Sequence, residues 1–181
     1  MPQLVFINGA PGSGKSTMAR RLVDSRPLSL LLDVDTLRGH LGQWRQNPGS
    51  AGLTARRLAL AMTRTHLAAG HDVVVPQFIE RRGFIGDLRA VAEDAGADFV
   101  LVALVSSPEE AASRFTARVG SPESNHLDAV HLQSAPGARS VGDMYAGMLD
   151  LLATYDDVRY VESVPGDIDG TYERLLRSLS A

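Results

Sequence analysis

Residues Gly9-Ala10-Pro11-Gly12-Ser13-Gly14-Lys15-Ser16-Thr17 leave this chain few folds to choose from. They match G-x-x-x-x-G-K-[ST] at every fixed position, with a strand-like run, Leu4–Asn8, just before and a helical pattern to about Val23 just after. Glycines let successive backbone N–H groups turn inward as an anion-binding nest, and the helix that follows adds its positive end. A chance match in a chain of average composition is on the order of one in a hundred. Composition strengthens the signal. Of 18 basic residues, 17 are arginine and Lys15 alone is lysine. A compact, flexible point charge has survived only where a phosphate loop needs one.

The rest of the pattern alternates short apolar runs with longer helical stretches. Strands are expected at Leu28–Asp33, Val73–Val75, Phe99–Val105 and Val158–Val161. Helices are expected at Thr54–Ala69 (Leu58 and Met62 on one face), Gly83–Ala95, from the Ser107-Pro108-Glu109-Glu110 capping box onward, at Val141–Ala153, and at the end of the chain through Ile168, Tyr172, Leu175, Leu176 and Leu179. This alternation implies an α/β fold, a five-stranded parallel sheet with helices on both faces. With 181 residues, 44% apolar, and no composition break, residues 1–181 read as one domain. The longest apolar run has seven residues, against about 20 for a membrane span. No cysteine and no leader-like N-terminus point to the cytoplasm. A net charge of −3 makes nucleic acid an improbable main partner.

Asp33-Val34-Asp35-Thr36-Leu37-Arg38 follows the second run, where a parallel sheet gathers ligand groups at the C-terminal ends of its strands. Asp33 is a candidate for a Mg²⁺-bound water and Asp35 for the base that takes a proton from an attacking hydroxyl; a helix N-cap is the bland alternative for Asp35. Arg38, one turn on, suits a polar or anionic part of an acceptor. Lys15 is expected on the β- and γ-phosphates, Ser16 on Mg²⁺ and Thr17 on the α-phosphate, with Gly9, Gly12, Ser13 and Gly14 lining the cradle.

With both motifs in view, the chain resembles the P-loop small-molecule and nucleotide kinases. Gly9–Thr17 with Asp33-Val34-Asp35 looks like shikimate kinase; Asp35-Thr36-Leu37 resembles chloramphenicol phosphotransferase; the loop with Asp35-Thr36-Leu37-Arg38 is similar to the kinase domain of polynucleotide kinase. Adenylylsulfate kinase and gluconate kinase share the outline. The resemblance implies a three-layer, nucleoside-monophosphate-kinase-like fold with a lid at 120–140. It also implies ATP and Mg²⁺ as cofactors, and a hydroxyl acceptor activated by Asp35. Arg114 and Arg118, four apart on one helix, are candidates to cover the transferred group, with Arg139 beyond them.

The chain departs from many P-loop proteins at the third strand. Val73-Val74-Val75-Pro76-Gln77-Phe78 has no carboxylate before Glu80, so Asp33 must take the outer metal role, and Gln77 becomes a candidate acceptor contact. Trp44 reads as a packing residue more than a stacking platform, and His126 and His131 as surface residues. Two other functions stay open: a nucleotide or polynucleotide 5′-kinase, and an ATP-binding module that transfers nothing. A GTPase-type Asn-Lys-x-Asp motif is impossible, because Lys15 is already used.

Overall fold

Leu4, Val5, Phe6 and Ile7 are fully buried, and their alternation divides the core. Leu4 and Phe6 point into one apolar cluster, Val5 and Ile7 into the other. Such a strand must lie in the middle of a sheet covered on both sides, and β1 (Gln3–Gly9) does. The computed structural model describes residues 1–107, 110, 113 and 139–180. Its sheet has the order β2-β3-β1-β4-β5, every pair parallel, with β2 at Leu30–Leu31, β3 at Val73–Pro76, β4 at Asp98–Val105 and β5 at Val158–Glu162.

Two helices cover one face, α1 (Lys15–Asp24) and α6 (Ile168–Leu179), through Met18, Leu22 and Leu175. The other face carries α3 (Pro48–Ala68), α4 (Arg82–Asp94) and α5 (Val141–Leu152). Their Ala55, Ala59, Ile85, Leu88, Met148 and Leu152 meet Phe6, Val75 and Leu101. Short α2 (Val34–Gly39) links β2 to α3. The Tyr145 hydroxyl donates to the Ser106 carbonyl at 2.6 Å, fastening α5 to the end of β4. The expected α/β class, five parallel strands and three layers are all present.

Two expectations need correction. The second strand is two residues, not six: Leu28 turns at φ 55 and is 71% exposed, and Asp33 already caps the next helix. The third helix starts six residues early, at Pro48, where proline's missing N–H costs a first turn nothing. Its buried face is Ala51, Ala55, Ala59, Thr63 and Leu67, while Leu58 and Met62 are exposed. The expected pair does share a face, but small residues won the inner one because they let the helix approach closely. In α6 likewise, Thr171 and Leu175 are buried while Ile168 lies outside.

The Ser107–Glu110 capping box forms, each backbone N–H meeting the other side chain at 3.1 Å. The helix expected beyond it, the 120–140 lid as a whole, Arg114, Arg118, His126 and His131 lie outside the described residues.

Candidate active site

The cradle is made by backbone geometry. Gly12 and Gly14 take φ of 86° and 88°, a region that side-chain-bearing residues rarely enter, and they turn the chain between β1 and α1. Ser13 N–H bonds the Ala10 carbonyl at 3.0 Å, closing the turn. Gly9 is glycine for another reason: a Cβ there would stand 2.4 Å from Ser13 Oγ. The N-terminus of α1 has no side-chain cap and no acidic residue in its first turn, so its positive end faces the loop unopposed by carboxylates of its own. Lys15 opens that helix, with Ser16 and Thr17 exposed beside it.

Three neighbouring strands deliver the other groups. In the order β2-β3-β1, Asp33 follows the first, Gln77 the second and the cradle the third, all at C-terminal ends. Gln77 N–H donates to the Ile7 carbonyl at 3.1 Å, carrying the β3–β1 ladder one step past Pro76. Its side-chain Nε2 lies 3.4 Å from Asp35 Oδ2, and Arg38 Nη2 lies 3.2 Å from Asp35 Oδ1. The structure thus brings Asp35, Arg38 and Gln77 together, the carboxylate flanked on both sides. Two atoms of this group are buried without a partner, Arg38 Nε and Gln77 Oε1. The Arg38 guanidinium lies 4.9 Å from the Trp44 ring centre and that of Arg45 4.6 Å, so Trp44 already carries two cationic neighbours.

The helix cap falls on Asp33, not on Asp35. Asp33 Oδ1 accepts from the backbone of Asp35 at 2.9 Å and of Thr36 at 3.1 Å. Burial pushes the Asp33 carboxyl above its ordinary value; the two cap bonds and the Lys15 charge pull it down, and the nearby Asp35 charge adds to the rise. Capping uses one oxygen, so a contact through the other is compatible with it.

On the other side of the cradle, toward β5, lies a cleft of about 250 Å³ between Gly12–Gly14, Thr17 and Met18 and the turn Ser163–Ile168. Ser163 Oγ donates to the Ser13 carbonyl at 2.9 Å and fastens that turn to the loop. Asp167 caps α6 on the Gly170 N–H and pairs with Arg174, contacts that hold its carboxyl below the ordinary value. Cleft and Asp35 thus flank the cradle on opposite sides.

Sequence reasoning missed Asn8 and Ser163. Asn8 is fully buried; its amide donates to the Ile79 carbonyl at 3.0 Å and its oxygen accepts from the Ile79 N–H at 3.1 Å, fixing the loop that carries Gln77. A polar residue closing an apolar strand was the available signal. Nothing in the sequence marks Ser163. Arg139 is engaged by Glu80 and the Asp143 carbonyl.

Mg²⁺ asks for oxygen donors and keeps much of its shell as phosphate and water. No group of three or more His, Asp or Glu side chains able to hold a metal occurs among the described residues. Ser16 offers a hydroxyl and Asp33 a carboxylate oxygen outside its cap bonds, donors of the kind Mg²⁺ takes. Among the described residues no helix is long and apolar enough to cross a membrane.

The family model described as "AAA domain" matches residues 4–135. An adenylate kinase of Deinococcus deserti is 28% identical over 98% of this chain and 96% of its own length. Two solved structures superpose over 99% of the chain. A gluconokinase from Sinorhizobium meliloti is 18% identical with a TM-score of 0.61 over 92% of its length. The tunicamycin resistance protein of Deinococcus radiodurans is 16% identical with a TM-score of 0.59 over 96% of its length. The chain therefore belongs to the AAA domain family and has the five-stranded fold of the P-loop small-molecule kinases.

Proposed function

We propose that the protein is an ATP-dependent phosphotransferase that moves the γ-phosphoryl group to a hydroxyl of a small molecule. The observation that carries this reading is Asp35, a carboxylate flanked by Gln77 and Arg38 at the strand ends beside the cradle. The cleft beside Ser163–Ile168 suits the nucleoside, with Val164, Pro165 and Ile168 as apolar surface for the base. The triphosphate then runs along Gly12–Thr17 to Lys15 and ends on the side where Asp35 lies.

In this reading Asp35 accepts the proton of the acceptor hydroxyl as its oxygen bonds to the γ-phosphorus. The bond from that phosphorus to the β–γ bridging oxygen breaks, and ADP leaves with the electron pair. Lys15 and the first-turn N–H groups of α1 balance the charge on the phosphate oxygens. Ser16 and Asp33 would hold Mg²⁺, which when bound neutralises part of the phosphate charge. Gln77 and Arg38 fix the orientation of Asp35. Arg114 and Arg118 keep the covering role that the resemblance gives them.

The end-to-end match to an adenylate kinase favours one second reading, a nucleotide phosphate as acceptor. The chemistry separates the two. A phosphate oxygen arrives ionised and needs no base, so Asp35→Asn would spare transfer to a nucleotide and cripple transfer to an alcohol. A screen of sugars, cyclitols, nucleosides and nucleotides for ADP release above background tests the proposal. Release stimulated by an alcohol supports it, and stimulation by nucleotides alone replaces it with the second reading. An unstimulated background across the panel leaves an ATP-binding module that transfers nothing.

A further inference from the structure

Gly147 stands in the middle of α5 with ordinary helical backbone, where alanine would serve the helix better. Its surroundings supply the reason for glycine. A Cβ at this position would lie 2.4 Å from Glu80 Oε1 and 3.1 Å from Arg139 Nη2. The absent side chain is a notch, and an ion pair fills it. Arg139 Nη1 donates to Glu80 Oε1 at 2.5 Å, and Nη2 donates to the Asp143 carbonyl, one turn before Gly147, also at 2.5 Å.

Glu80 closes the four-residue loop that Gln77 opens. That loop is pinned along its length: Gln77 N–H to the Ile7 carbonyl, Ile79 by both arms of Asn8, and Glu80 by Arg139. The contact the loop delivers, Gln77 Nε2 to Asp35 Oδ2, is already long at 3.4 Å. A shift of well under 1 Å would end it. The Glu80–Arg139 pair is not well placed to stabilise the fold, because Arg139 is about half exposed and such pairs contribute little. The arrangement keeps a helix-weakening glycine in order to seat a weak pair, which points to geometry as its purpose.

We infer that Glu80, seated by Arg139 in the Gly147 notch, is a positioning residue that holds Gln77 against Asp35. It acts through the loop backbone. The inference rests on the reading of Asp35 as the group at the reacting centre.

Gly147→Ala is the sharpest probe. The new methyl meets only the far ends of two flexible side chains, so the fold survives while the pair is displaced. The thermal midpoint is expected to hold or rise, because alanine favours the helix. The side-chain amide resonance of Gln77 is expected to move, and turnover with an acceptor from the screen to fall by about 3–10-fold at unchanged KM for ATP. Glu80→Gln is expected to act alike. Glu80→Asp placed in the Gly147→Ala protein shortens the side chain, clears the methyl, and restores part of the turnover. A Gln77 resonance unmoved in both single variants overturns the inference, and so does unchanged turnover in both variants of a wild-type protein that transfers phosphoryl groups. If the wild-type protein transfers to no acceptor, the functional reading has failed instead, and the Gln77 resonance still decides the coupling.

Discussion

The two sides of the cradle are built by different means. The side toward β5 is main chain: positive-φ glycines, helix N–H groups, and a turn fastened by one hydroxyl to one carbonyl. The side toward β2 is made of side chains that position one another, Asp35 by Gln77 and Arg38, Gln77 by a loop tied to Asn8, Arg38 against Trp44. Backbone geometry accepts one polyphosphate chemistry and tolerates little change. A relay of side chains can be re-cut for another acceptor without disturbing the sheet.

Substitutions on each side sharpen the comparison. Lys15→Ala should have the largest effect, removing ATP-dependent transfer by a factor on the order of 10³ or more while circular dichroism stays native. Transfer that survives would mean the cradle holds something other than the donor. Asp35→Asn should lower turnover to an alcohol by about 10² or more and leave ATP affinity alone. ATP affinity that falls in step with turnover would put Asp35 on the donor side and blur the division.

Gly9→Ala should cost about 1–3 kcal/mol of stability, because the new Cβ would press on Ser13 Oγ and on Ser13 Cβ at 3.1 Å. Weaker ATP binding should accompany it, read by calorimetry and chemical denaturation. A stable variant with normal ATP affinity would show the cradle to be more pliable than its geometry indicates.

Asp33→Asn should have the smallest effect on the fold, with a sign that can be worked out. The Asp33 carboxyl is raised in the folded state, so ionising it there is harder than in the unfolded chain. Its contribution is present below the unfolded value and lost as pH rises through the folded one. Above that window the folded protein bears a cost that asparagine, itself a good cap, removes. Urea midpoints should therefore show the variant equal to or slightly more stable than wild type at neutral pH, while Mg²⁺-dependent nucleotide binding weakens. A clear loss of stability at neutral pH would make the ionised carboxylate a structural asset instead.

The same division explains what the sequence discloses. Gly9–Thr17 is legible because each glycine answers a local backbone demand, and Val73–Val75 because a strand buried on both faces must be apolar. Asp35 is legible by its place after a strand. Its partners are less so: Gln77 is 42 positions away, and only sheet order brings them side by side. The inner face of α3 was obscured because Leu58 and Met62 are the more apolar residues, yet close approach favours Ala55 and Ala59. Gly147 shows no local pattern; the side chains that crowd it are Arg139, just ahead of the same helix, and Glu80, from a distant segment.

A structure with Mg²⁺ and a non-hydrolysable ATP analogue tests the central claim most directly. The account predicts the base in the cleft beside Ser163–Ile168 and the γ-phosphate on Lys15. The γ-phosphorus should stand roughly 5–6 Å from an Asp35 carboxylate oxygen, room for one acceptor oxygen between them. A γ-phosphate directed away from Asp35, with more than about 10 Å or a wall of protein between them, would contradict it.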